Sequence, residues 1–203
     1  MTDKKETIAF KFDVDIAISA LLYLADRPNQ VTELDKYKAG KLLFLADKYH
    51  VVRYGRPIFG DTYFALPYGP IPSSILNLID DVIDGKTHYE YARKLSSVVE
   101  LDRQYEHPRI RAAKPPDLSL LSESDREALE YVIMEHGKKS FAELMALTHA
   151  MAAYRLRWDA KDKRAKRAVM HYEDFFEEEA LAVAGVRREM IENAQLRKRF
   201  PAP

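Results

Sequence analysis

The chain has 203 residues, 47% of them hydrophobic, with 32 basic against 32 acidic side chains. That suits one domain, or one domain with an appendage, and gives no global charge to draw it to nucleic acid or an anionic membrane. It has no cysteine, which excludes disulfides, thiolate metal sites and a cysteine nucleophile.

The opening MTDKKETIAFKFD lacks the apolar centre of a signal peptide, and no run reaches the ~18 apolar residues of a membrane span. A soluble, cytoplasmic protein is expected. Asp13 reads as an N-cap, and Val14, Ile18, Leu21, Leu22 and Ala25 follow at helical spacing. RPNQ at 27–30 stops that helix. Thr32, with Asp35 three residues on, offers the next cap. The second helix runs through LDKYKAGKLLFLADKYH, and its apolar stretch 42–46 predicts a central, buried helix.

VVRYGRPIFGDTYFALPYG follows. Gly60-Asp61 lies between Ile58-Phe59 and Thr62-Tyr63-Phe64, a pattern that predicts a type II′ hairpin turn there. In YFALPYGPIPSSIL, Gly69 permits a backbone angle other residues avoid, and Pro70 and Pro72 hold the chain extended. Ser73 reads as the cap of a helix carrying Ile75, Leu76, Ile79, Val82 and Ile83, which Gly85 ends. This is a stiff strand-to-helix corner, without the glycines and lysine of a phosphate loop.

Extended pieces at 98–101 and 109–112 are expected to join the hairpin in one small antiparallel sheet. Ser124 with Glu127 and Ser140 with Glu143 read as capping boxes of two helices around Gly137, a pair that resembles a helix-turn-helix. Lys161, Lys163, Arg164, Lys166 and Arg167 form a basic run. Asp159–Lys163 and Asp162–Lys166 are i,i+4 pairs there, which predicts a solvated helix. The stretch 174–200 starts acidic and ends basic, so it reads as one long helix with Phe176, Ala180, Val183, Met190 and Ala194 along one face. The fold expected is α+β, mainly α: a helical core, a small antiparallel β-sheet and a C-terminal helical extension.

No catalytic constellation emerges. The six histidines lack zinc-helix spacing, and G-x-S-x-G, S-x-x-K and G-x-G-x-x-G are missing. No metal, no cofactor and no enzymatic activity are expected. Asp80, Asp81 and Asp84 read as a solvated helix face rather than a cation site. Tyr54, Phe59, Tyr63, Phe64 and Tyr68 either roof the central helix or in part form a protein-binding surface.

Three blocks in order carry a family resemblance: KLLFLAD at 41–47, RYGRPI with Gly60-Asp61, and YGPIPS at 68–73. The chain resembles the Panacea domain, or SocA-like antitoxin domain, whose signature is a KLLYLAD helix, a YGRPITGD turn and a YGPVPS corner. Thr148-His149 and Trp158 extend the likeness, so that it covers 10–158; residues 159–203 stand outside it as a charged helical extension. The resemblance implies a non-enzymatic antitoxin, often encoded in prophages, that binds and neutralises a neighbouring protein toxin. In one branch of the family the antitoxin is an adaptor that delivers its toxin to a Clp-type protease. Gly55, Gly60, Asp61, Gly69, Pro70, Pro72 and Ser73 are assigned to the fold. Lys41, Arg53, Tyr54, Arg56 and Tyr68 are the expected partner contacts, because Arg and Tyr are common interface anchors. A homo-oligomer stays open. The rival function is a DNA-binding regulator using the 124–152 helix pair, but SFAELMALTHAMAA has no Arg, Lys, Asn or Gln to read base edges. Nucleic acid is therefore the weaker partner.

Overall fold

The computed structural model describes residues 8–176 and 184–199. Helix α1, Val14–Ala25, starts where the Asp13 carboxylate accepts from the backbone N–H of Asp15 and Ile16, both at 3.1 Å. Helix α2, Lys36–Tyr54, starts at Asp35 rather than Thr32, because the Asp35 carboxylate takes the Lys38 N–H at 2.8 Å. It stops at Gly55, whose φ of +64° closes the helix. Leu42, Leu43, Phe44 and Leu45 are all buried, and helices at 14–25, 73–83, 123–136, 141–150 and 184–199 surround α2.

The first hairpin sits one step later than Gly60-Asp61. Strands β1, Tyr63–Leu66, and β2, Gly69–Pro72, pair antiparallel across the two-residue turn Pro67-Tyr68. Gly60 keeps a φ of +70° for another reason: a Cβ there would collide with the Lys11 carbonyl. Asp61 has a longer reach than a turn residue. Its carboxylate accepts from the N–H of Thr62, Ser74 and Ile75 at 2.6, 2.8 and 3.0 Å. It thereby caps α3, Ser73–Ile83, a role expected of Ser73.

Helix α4, Glu90–Ser96, leads to β3, Val99–Asp102, and β4, Arg109–Ala112. These two strands form their own sheet and do not join the first hairpin. Helix α5, Glu123–His136, is capped by Ser122 with Asp125, not Ser124 with Glu127. Helix α6, Phe141–Ala150, carries the Ser140–Glu143 box as expected, and α7 is Ala152–Ala160. The basic run after α7 is not helical; Asp162 instead folds back to accept the Arg164 N–H at 2.7 Å. It ends in strand β5, Ala168–Met170, which pairs antiparallel with β1.

The stretch expected as one helix from 174 begins as a 3-10 turn, Tyr172–Phe176. Positions 180 and 183 lie outside the described residues, and α8, Ala184–Arg199, follows. Met190 and Ala194 are buried. Residues beyond 158 thus add a strand to the sheet and side chains to the core. Phe44, Tyr63 and Phe175 meet edge to face with centroids 5.5–5.6 Å apart, and Tyr172 joins them 5.9 Å from Tyr63. Arg157 on α7 grips the buried Asp174 carboxylate through two bonds of 2.6 and 2.7 Å. No described helix is long and apolar enough to cross a membrane.

The prolines fix which way each backbone group of the three-stranded sheet points. Pro72 faces Tyr63 and Pro70 faces Ala65, and neither proline has an N–H, so these are the non-hydrogen-bonded pairs. The Ser73 N–H reaching the Thr62 carbonyl at 2.9 Å marks the neighbouring bonded position. The polar groups of Phe64 therefore face β2, and those of Tyr63 and Ala65 face β5. By the same alternation the Pro70 carbonyl points away from β1.

Candidate functional site

Lys41 meets that outward carbonyl. Its ammonium donates to the Pro70 oxygen at 2.9 Å from a position only 1% exposed. Burial pushes its pKa down to about 7. Gly69 makes the approach fit: its φ is +98°, and a Cβ would lie 2.5 Å from Lys41 Nζ and 2.9 Å from Thr148 Oγ1. Thr148 returns its hydroxyl to the Leu144 carbonyl at 2.8 Å. His149 stacks on Tyr154 with centroids 4.6 Å apart, and Tyr154 stacks on Trp158 at 5.9 Å. Burial, then the Lys41 charge, lowers the His149 pKa. Tyr154 closes the set by donating to the Leu66 carbonyl at 2.8 Å. Lys41, expected at a partner surface, is thus an interior clamp between α2 and the hairpin.

Asp47, the last residue of KLLFLAD, works the same way from the other side. It accepts from the Ile58 N–H at 2.6 Å and the Tyr63 hydroxyl at 2.7 Å. Complete burial raises its pKa to about 7, partly opposed by those two hydrogen bonds. Tyr172 reaches the Asp61 carbonyl at 2.6 Å. Two of the three recognised blocks thus place side chains on the backbone around the hairpin.

The other expected contacts divide between two places. Tyr68 stands at the hairpin tip, 66% exposed. Arg53, Tyr54 and Arg56 lie at the far end of α2, roughly 18 Å from Lys41 by helical rise. Arg56 bonds Ser122 Oγ at 2.9 Å and pairs with Asp125 Oδ1 at 3.0 Å, so it ties α2 to the start of α5. Fully buried His50 donates from Nδ1 to the Arg56 carbonyl at 2.7 Å, which leaves Nε2 to accept the Ser124 hydroxyl at 3.0 Å. Burial holds its pKa below the ordinary histidine value. Asp125 Oδ1 stands 3.1 Å from that nitrogen without aligned hydrogen-bond geometry; Arg56 is its charge partner.

Arg53 is exposed and Tyr54 half-buried beside a cleft of about 280 Å³ lined by Tyr49, Val52, Arg53, Tyr131, His136 and Met151. Tyr49 and Tyr131 stack at 4.3 Å, and the Arg53 guanidinium covers Tyr49 at 4.5 Å. Glu127 accepts from Tyr54 at 2.5 Å and Tyr49 at 3.0 Å, and these two bonds hold its pKa below the usual carboxylate value. Tyr49 and Tyr131 were not picked out from sequence. The signal for Tyr49 is its place four residues before Arg53 on the same helix face; Tyr131 carries none without the α2–α5 packing. Asp80, Asp81 and Asp84 pair with Lys36 and Lys86, and among the described residues no acidic or histidine cluster is placed to hold a metal ion.

The family model described as "Antitoxin SocA-like, Panacea domain" matches residues 40–154, more than half of the chain. No curated protein and no solved structure matches it. The matched span opens one residue before Lys41 and closes on Tyr154, so it holds the clamp, the corner and the stacking tyrosine together. The chain belongs to the SocA-like antitoxin family of Panacea domains.

Proposed function

We propose that this protein is the antitoxin of a toxin–antitoxin pair and neutralises a protein toxin in the cytoplasm by binding it, without turnover. Family membership carries the reading. The α2–α5 cleft supports it, because stacked tyrosines under an arginine make the kind of surface that supplies binding hot spots. The recognised Lys41, Asp47 and Asp61 hold the hairpin from inside, which leaves the exposed Arg53 and Tyr68 and the half-buried Tyr54 to meet the partner. On α6, Phe141–Ala150, no Arg, Lys, Asn or Gln is available for base edges, so DNA reading gains no support.

The test is co-expression with the product of the adjacent open reading frame. That product alone should arrest growth, and this chain should restore it and bind it in purified form. The toxin level in rescued cells separates the two modes: an unchanged level means blocking, and a level that falls only when a Clp-type protease is present means delivery. A toxic neighbour that this chain neither rescues nor binds would overturn the reading.

A further inference from the structure

We infer that the outer edge of β5 receives an extended, acidic segment of the protein partner as a fourth strand of the sheet. This rests on the antitoxin reading and adds the site and the chemistry of one contact. Because the polar groups of Tyr63 and Ala65 face β5, they form the bonded pairs with Met170 and Ala168. Phe64 opposite Val169 is then the non-bonded pair, so the Val169 N–H and C=O point away from β1. No hydrogen bond engages them among the described residues.

The two edges of this sheet differ. On β2, Pro70 and Pro72 remove two donors, and Lys41 occupies the Pro70 carbonyl. On β5, AVM contains no proline, and a free donor and acceptor stand together at Val169. Side chains add a platform. Ile71, Phe64 and Val169 form one row across the outer face of the three strands, with Val169 45% exposed. An added strand would continue that row, taking affinity from main-chain bonds and specificity from alternate side chains.

Charge sets the partner's character. Five basic residues against two aspartates lie between 159 and 167, immediately before the strand. Lys163, Arg164, Lys166 and Arg167 are exposed, and Arg167 lies over the Phe64 ring at 4.3 Å. A strand carrying Glu or Asp on alternate positions meets both the apolar row and this cationic approach.

The experiment uses the full chain and the neighbouring toxin. Val169→Pro removes the outward N–H without breaking a β1–β5 bond, whereas Val169→Ala keeps it. Val169→Pro should bind the toxin about tenfold or more weakly, the size of one lost hydrogen bond, while Val169→Ala, which shortens the apolar row but keeps the N–H, should lose clearly less. The triple change Lys163→Glu, Arg164→Glu and Lys166→Glu should weaken binding as well. Amide hydrogen exchange on wild type gives the check that needs no variant: the Val169 N–H should exchange freely in the lone protein and become protected in the complex. Equal toxin binding by a folded Val169→Pro, or a Val169 amide that gains no protection in the complex, overturns the edge contact and leaves the antitoxin reading intact. A Val169 amide already protected in the free protein also overturns it, because the chain then covers its own edge. A wild-type chain that does not bind the toxin overturns both.

Discussion

Lys41 on α2 donates to the Pro70 carbonyl at 2.9 Å inside the protein, so a charged side chain completes the outer edge of β2. Its pKa is lowered from 10.5 to about 7 by burial. Within that window the unfolded chain holds a proton that the folded chain has released, so stability rises with pH from about 7 to about 10.5. Below the window the cost of burying the charge is fully present. Lys41→Met removes this slope. Near pH 10 the variant should be less stable by roughly 1–3 kcal/mol, because the Pro70 carbonyl loses its donor. In mildly acidic buffer the gap should narrow or reverse. Urea unfolding across pH measures both, and parallel profiles for the two proteins would refute the clamp.

Asp47 gives a slope of opposite sign. Its pKa is raised from 3.8 to about 7 in the folded chain. Between those values the folded state holds the extra proton, so stability falls as pH rises through the window. Asp47→Asn should flatten that fall. Asp47→Ala should be destabilising at every pH by roughly 1–3 kcal/mol for each of the two donors, Ile58 N–H and Tyr63 O–H, left unpaired. The same unfolding series on both variants checks this; an unchanged slope in Asp47→Asn would assign it to other groups.

Gly69 and Gly85 separate backbone strain from collision. Both have positive φ, +98° and +72°, but a Cβ at Gly69 meets Lys41 and Thr148, and at Gly85 it meets open space. Gly85→Ala should cost about 1–2 kcal/mol from left-handed strain alone. Gly69→Ala should cost clearly more. Equal melting temperatures for the two variants would mean that the clamp yields without penalty.

At the α2–α5 cleft, Arg53→Ala and Tyr131→Ala should each weaken toxin binding by about 2 kcal/mol, as truncation of a hot-spot residue does. The Arg53 side chain is more than half exposed and Tyr131 over a third, so thermal stability should change less than binding. Calorimetric titration with the toxin, run beside thermal unfolding, measures the two effects. Full affinity in both variants would move the toxin contact away from this cleft.

A chain cut after Trp158 loses β5, the Asp174 partner of Arg157, and the buried Tyr172, Phe175, Phe176 and Met190. Each large buried side chain removed costs about 2–5 kcal/mol, against a total stability of about 5–15 kcal/mol. The shortened chain should show no cooperative unfolding transition. A sharp transition near the wild-type temperature would show that residues up to 158 fold on their own.

Local signals in the sequence matched the structure at two helix starts whose partners are nearby in the chain, while the caps read at Thr32 and Ser124 moved to Asp35 and Ser122. Asp13 bonds the second and third residues after it, and Ser140 and Glu143 bond each other. Larger misreadings came where the partner is remote. Gly60-Asp61 looks like a hairpin turn, but Gly60 is there for the Lys11 backbone and Asp61 caps a helix thirteen residues on. Strand β5 hides behind a basic run whose i,i+4 pairs suit a helix; only β1 tells Ala168–Met170 to extend. The placement of Lys41 shows the same limit, since a lysine's burial depends on a carbonyl 29 residues away.

The β1–β5 pairing links positions 64 and 169. Contacts so far apart in sequence close late in folding, after the chain between them has been ordered. A ribosome making this protein releases the hairpin long before it releases the third strand, so β1 emerges with one side unoccupied. The three-stranded sheet, and any surface that depends on it, exists only once residue 170 has been translated. A product terminated early would carry all of the family-matched residues 40–154 and still lack the strand that finishes the sheet.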